Sequence, residues 1–180
     1  MTIMSLWLPI VVSAVIVFIG SALVWMVLPW HKSDFRKTRD EEAVRGALKG
    51  SEPGYYMLPY CMDPAELKNE DVANKYREGP LAYITVIPSG IPSMGPKLVL
   101  SFVYYLVVGA ICAYMVSRTV PGADYLHVFR VAGTTAFLAY GVAYLQDSIW
   151  FGRPWSLTAK NLFDGLLYGL LTGGTFGWLA

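Results

Sequence analysis

The chain has 180 residues, of which 55% are apolar and 15% charged, with a net charge of +1 and a mean hydropathy of +0.45. A soluble domain of this size carries about 25% charged residues, and the balanced charge leaves neither a basic surplus for nucleic acid nor an acidic tail. The two cysteines, Cys61 and Cys112, form no CxxC pair, so neither a disulfide framework nor a zinc site is indicated.

The first charge-free run extends from Leu6 to about Leu28. Its 23 residues cover roughly 34 Å as a helix, enough for a hydrocarbon core of about 30 Å. It has no basic residue before it and is longer than the apolar part of a signal peptide, despite the small triplet Gly20-Ser21-Ala22. It reads as an anchor. Residues 31–96 follow as a polar insert. Within it, Asp40 is placed to cap a short helix from Glu41 to Lys49, and Asp63-Pro64 is a good helix entry. A second helix is expected from Glu70 to Glu78, stopped by Gly79-Pro80. Gly54 to Tyr60 and Leu81 to Ile87 have the composition of two paired strands. Pro88 to Pro96 leads stiffly into the membrane. An insert of this size is marginal alone, so it is expected to lean on the membrane part or on a partner.

Three further spans are expected: Leu98 to Val116, Val131 to Gln146 with a continuation through Trp150 at the interface, and Gly165 to Ala180. The last, at sixteen residues, covers only about 24 Å. Lys32, Arg36, Lys37 and Arg39 follow the first span, and Arg153 and Lys160 fall on the same side. The positive-inside rule therefore puts residues 31–96 in the cytoplasm and both termini outside. Trp25, Trp30, Trp150 and Trp155 would then mark the inner interface, with Trp7 and Trp178 at the outer one.

Catalytic chemistry is not legible. No P-loop, HExxH, GxSxG or EF-hand pattern is present, and the expected spans hold no ionisable residue. Asp147 is the acid nearest a span. It is read as an interfacial carboxylate paired with Arg153 or Lys160, with a proton-relay role as the sharper alternative. His31 and His127 lie at opposite interfaces and cannot sandwich one metal, although either is a candidate ligand for a pigment or haem. Cys112 reads as a small packing residue. The tyrosines at 104, 105, 114, 140, 144 and 168 suit packing, or hydrogen bonding to a lipid, quinone or pigment headgroup.

The sharpest pattern is a glycine zipper. Gly165, Gly169, Gly173 and Gly177 recur every fourth residue, which lets another backbone approach closely. Gly109, Ala113 and Ser117 form a matching row in the second span, and Ala132, Ala136, Ala139 and Ala143 one in the third. These rows either hold the chain's own helices together or face another subunit or a flat cofactor.

Several short motifs are similar to a family of uncharacterised small bacterial inner-membrane proteins with four transmembrane helices. They are Trp30-His31-Lys32-Ser33-Asp34, Lys75-Tyr76-Arg77-Glu78-Gly79-Pro80, Gly152-Arg153-Pro154-Trp155, Phe163-Asp164-Gly165 and Gly174-Thr175-Phe176-Gly177-Trp178-Leu179. Members continue past that tryptophan with a Trp-Pro ending, which this sequence lacks. The resemblance implies a bacterial inner membrane and supplies no activity or site residue.

The expected architecture is thus an all-α membrane protein, a four-transmembrane-helix bundle with a small cytoplasmic α+β insert. Its divisions are a first helix (1–30), the insert (31–96) and a three-helix region (97–180). The expected function is non-catalytic: an accessory or scaffolding subunit among other integral membrane subunits, surrounded by lipid. One alternative is a subunit contacting lipid, carotenoid, chlorophyll, haem or quinone in a photosynthetic or respiratory electron-transport assembly. A small membrane transporter is the other.

Overall fold

The computed structural model describes residues 2–180 and is mostly helical. It divides into a helical unit, residues 1–35 and 93–180, and a smaller unit, Arg36–Pro92. The boundary differs from the expected 31–96 because His31 and Asp34 pair with a later helix and because a helix already begins at Met94.

In the helical unit, Thr2 accepts a hydrogen bond from the Ser5 amide and starts a short turn, Ile3–Leu6, that feeds α1, Trp7–Ala22. Pro9 sits in the first helical turn, where no amide donor is needed. The helix widens over Leu23–Val27, where the Leu28 amide bonds the Leu23 carbonyl five residues back. Leu28 is extended, as the residue before Pro29 is biased to be, and the helix stops there. Helix α4 covers Met94–Thr119. Asp124 caps α5, Tyr125–Phe137, which runs through a second widened turn, Leu138–Val142, into α6, Tyr144–Phe151. Gly152, with φ +65°, closes α6, and Pro154 leads into α7, Trp155–Leu179.

Two expected boundaries are corrected. The third apolar helix is not Val131–Gln146 but spans Tyr125–Phe151, and the last helix begins ten residues before Gly165. A helix continues wherever its amides find carbonyls four residues back, so Arg130, Lys160 and Asp164 interrupt hydropathy without interrupting the backbone. Among the described residues, three stretches are long and apolar enough to cross a membrane: Ile3–Val27, Met94–Thr119 and Tyr125–Phe151. The chain is accordingly a membrane protein. Helix α7 is long enough, about 37 Å for its 25 residues, but its glycines, threonines, Lys160 and Asp164 lower its hydropathy below that of the other three.

The core of this unit is made of small and β-branched residues. Val17, Cys112, Ala113, Val116, Ala132 and Ala136 are fully buried, together with Phe176. Helix α7 packs on α5 and α1, and α4 packs on α1 and α5.

In the smaller unit, Asp40 accepts from the Ala43 amide (3.0 Å) and caps α2, Glu41–Leu48. Strands β1, Gly54–Leu58, and β2, Ala82–Val86, pair antiparallel with Gly54 opposite Val86 and Leu58 opposite Ala82. Asp63-Pro64 opens only a short turn, Pro64–Lys68. Asn69 then caps α3, Glu70–Glu78, and Gly79 ends it at φ +66°. No side chain between Arg36 and Pro92 is buried.

Candidate functional site

The helical unit gathers four ionisable side chains behind the end of α1. Pro29 turns the chain out of α1 and into the short turn Pro29–Ser33, which carries His31 inward to 5% exposure. His31 Nδ1 lies 2.6 Å from Asp34 Oδ2, and Nε2 lies 2.9 Å from Asp164 Oδ2. Lys160, one turn before Asp164 on α7, donates to Asp34 Oδ1, to Ser33 Oγ (3.0 Å) and to the Trp30 carbonyl. The widened turn at the end of α1 places the Trp25 indole flat on the imidazole, with centroids 3.9 Å apart and planes 6° from parallel. Trp30 meets the same ring edge-on at 6.0 Å.

The electrostatics of the outer acid are clear. Burial of the Asp34 carboxyl opposes its ionisation, but hydrogen bonds from Lys160 and His31, and their charges, outweigh it. They hold the carboxyl below its usual value of 3.8. Asp164 is a different kind of acid. It sits ten residues into α7 at 4% exposure, with one oxygen on His31 and the other, Oδ1, without a partner.

Other buried polar atoms share that condition: Trp30 Nε1, Asn161 Nδ2, Tyr168 OH and Thr172 Oγ1. Asn161, Asp164, Tyr168 and Thr172 are three or four residues apart, so they form one stripe along α7. The Tyr168 hydroxyl is turned toward the Trp25 indole, and the Thr172 hydroxyl toward Tyr140, without closing a hydrogen bond. Buried polar atoms in a folded chain are normally paired, so a stripe of unpaired ones along a helix calls for a reason beyond packing.

These positions correct several expectations. The last helix was expected to begin after Asp164; it begins at Trp155, so Asp164 lies within α7 and is buried. Asp147 and Arg153 do meet, at 3.3 Å and partly exposed, with the guanidinium also over the Tyr144 ring at 5.2 Å. Lys160 is not in that pair, because Asp34 takes it. His31 offers no nitrogen to a haem or pigment, since both are held by carboxylates. His127, in the first turn of α5, is exposed and pairs through Nδ1 with Asp124 at 2.7 Å. Two bonds from His127, its amide and its ring, hold the Asp124 carboxyl below the usual range.

The glycine rows are spent within the chain. A Cβ built at Gly165 would lie 2.6 Å from Gly141 Cα, one at Gly169 2.9 Å from the Gly133 carbonyl, and one at Gly173 2.8 Å from the Phe129 carbonyl. At Gly177 it would strike the Tyr125 ring at 2.7 Å. The row on α7 therefore interlocks, four residues at a time, with Tyr125, Phe129, Gly133 and Gly141 on the α5 side. Gly109 packs in the same way against Ile10 of α1. Ala132 and Ala136 are buried on a different side of α5, where the Ala132 carbonyl accepts from Cys112 of α4 at 3.5 Å. Ala113 is fully buried and Ser117 nearly so, bonding back to the Tyr114 carbonyl. Ala139 is partly buried beside the core.

Sequence reasoning missed Asp34, Asp164 and the pair Gly133 and Gly141. Asp34 and Asp164 each stand in a motif that carries the family resemblance, and Gly133 and Gly141 are spaced eight apart, two steps of a four-residue row. Compared with known proteins, the chain matches no family model, no curated protein and no solved structure.

Proposed function

We propose that this chain is a non-catalytic accessory or scaffolding subunit of a larger complex in a bacterial inner membrane. One observation carries the reading: residues 36–92 fold into two helices and a two-stranded sheet in which no residue is fully buried. Ordering a backbone costs about 1–2 kcal/mol per residue in entropy, which burial of apolar surface ordinarily offsets. Here that offset is small within the unit itself, whose residues are at most half-buried. Leu58 and Leu81, at one end of the sheet, are 49% and 58% exposed, and Tyr60 beyond them is 72% exposed. The surface they form is of the kind another protein covers. Both ends of the unit run into the helical unit, which tethers the docking surface to the apolar helices.

In this reading α7 crosses the membrane with the other three helices, completing the four-helix bundle. Its packing on α1 and α5 and its length support that. The termini lie outside, and Lys32, Arg36, Lys37 and Arg39 hold residues 36–92 in the cytoplasm. The test is purification in mild detergent from cells carrying a photo-crosslinker at Tyr60. Crosslinking to one integral membrane protein that also co-purifies supports the reading; recovery of the chain free of crosslinks and alone defeats it.

A second reading, a subunit contacting a carotenoid, quinone or lipid, has one observation behind it. An apolar groove of about 380 Å³ runs between α1 and α7, lined by Val12, Ile16, Leu171, Gly174 and Trp178 among others. An absorption spectrum and lipid extraction of the same preparation test it.

A further inference from the structure

We propose that His31, Asp34, Asp164 and Lys160 form a reversible proton-binding site whose contact distances match its loaded state. A neutral imidazole has one N–H and one lone pair. It satisfies one of the carboxylate oxygens at 2.6 and 2.9 Å, and turns its lone pair on the other at hydrogen-bond distance. Both contacts hold together only when one more proton is present. That proton sits on His31, which then donates from both nitrogens, or on one carboxyl, which then donates to the ring. The two forms differ by the position of one proton along the Asp34–His31–Asp164 line, and only N–H and O–H bonds are made or broken.

Charge supports the same count. An imidazolium and Lys160 balance the two carboxylates, so the loaded cluster is neutral. Losing the proton leaves a net negative charge among side chains that are 3% (His31), 8% (Asp34) and 5% (Asp164) exposed, with Lys160 at 22%. A buried unpaired charge is costly, so proton release must be coupled to a local change: opening of one histidine contact or entry of water. Lys160 and Asp34 form the more exposed end, through which a proton reaches solvent. Asp164 is the inner end. Its unpartnered Oδ1 and the unpartnered hydroxyls of Tyr168 and Thr172 continue a line of polar groups along α7.

The groups around the site come from every neighbouring element. The end of α1 supplies Trp25, and the turn after it supplies Trp30 and Ser33; none of these titrates in the relevant range. Helix α7 supplies Lys160, Asn161 and Tyr168. The segment from Leu138 to Phe151 reaches the site through Tyr140, edge-on to Tyr168 at 5.8 Å, and Tyr144.

Trp25 reports the event, because an imidazolium stacked on an indole quenches its emission. The full chain in detergent is titrated from about pH 4 to about pH 10, which brackets ordinary carboxyl and imidazole values. Tryptophan emission is followed in wild type and in Trp25→Phe, the difference giving the Trp25 signal. We expect a one-proton transition in that difference, with emission rising as the proton leaves. Asp164→Asn should move the midpoint down by roughly 1 unit or more, since it removes an opposite charge in direct contact. His31→Gln should abolish it. No transition in wild type, or a midpoint unmoved in a folded Asp164→Asn, overturns the proposal. Should that variant fail to fold, the wild type carries the test alone. Its pH-step infrared difference spectrum must show imidazole ring bands changing together with Trp25 emission, and their absence overturns the site.

Discussion

Asp147 and Asp164 illustrate how much one side chain's surroundings decide. Both are acids with an aromatic residue within three positions, and both stand within a few residues of a cation. Asp147 is 46% exposed in its pair with Arg153, whereas Asp164 is 5% exposed and bonded to His31. Exposed pairs contribute about 0–1 kcal/mol, while removing one partner of a buried pair costs about 3–5 kcal/mol. Asp147→Asn should therefore leave the thermal midpoint in detergent nearly unchanged, and Asp164→Asn should lower it clearly. Equal effects of the two substitutions would contradict this placement. The sequence pointed to Asp147 because it abuts an apolar run, and passed over Asp164 because glycine follows it and the apolar run begins there. What decides the matter is a contact across 133 positions, between His31 and Asp164, and no local pattern encodes that.

The elements were easier to read than their pairing. Four-residue glycine spacing on α7 and the caps Asp40 and Gly79 are local features, and each marks a real element boundary or close contact. The partner row was not legible. The sequence offered small-residue rows on the second and third spans without saying which meets α7, and the contact falls on Phe129, Gly133 and Gly141. Rotation of a helix about its axis follows from packing on all sides at once, and Ala132 and Ala136 are claimed by the α4 side. Because the row faces α5, replacing Gly173 with Leu should destabilise the isolated protein, by about 1–3 kcal/mol for overpacking of this kind. A thermal melt in detergent reads the loss. A Gly173→Leu chain as stable as wild type would show that α7 does not meet α5 at this point.

At the scale of the whole molecule, the chain combines a helical unit that closes on itself with a small unit that does not. The first uses its glycine rows and its buried charge cluster internally; the second leaves Leu58, Tyr60 and Leu81 exposed and buries none of its residues fully. Hydropathy and the basic residues after Trp30 already separated the two, although the charge cluster shifts the division to Arg36. The proposed topology rests on those same basic residues. A cysteine introduced at Ser51 should resist an impermeant thiol reagent in intact cells and react after lysis; labelling of intact cells would reverse the orientation. The most direct measurement concerns the exposed end of the sheet. Wild type and a Tyr60→Glu, Leu81→Glu double variant are extracted in mild detergent, and the mass of each assembly is measured beside its melting temperature. Wild type should run with a second membrane protein, and the variant should lose that partner while its helical unit melts unchanged. A wild-type chain that runs alone, or a variant that keeps its partner, would contradict a docking role for residues 36–92.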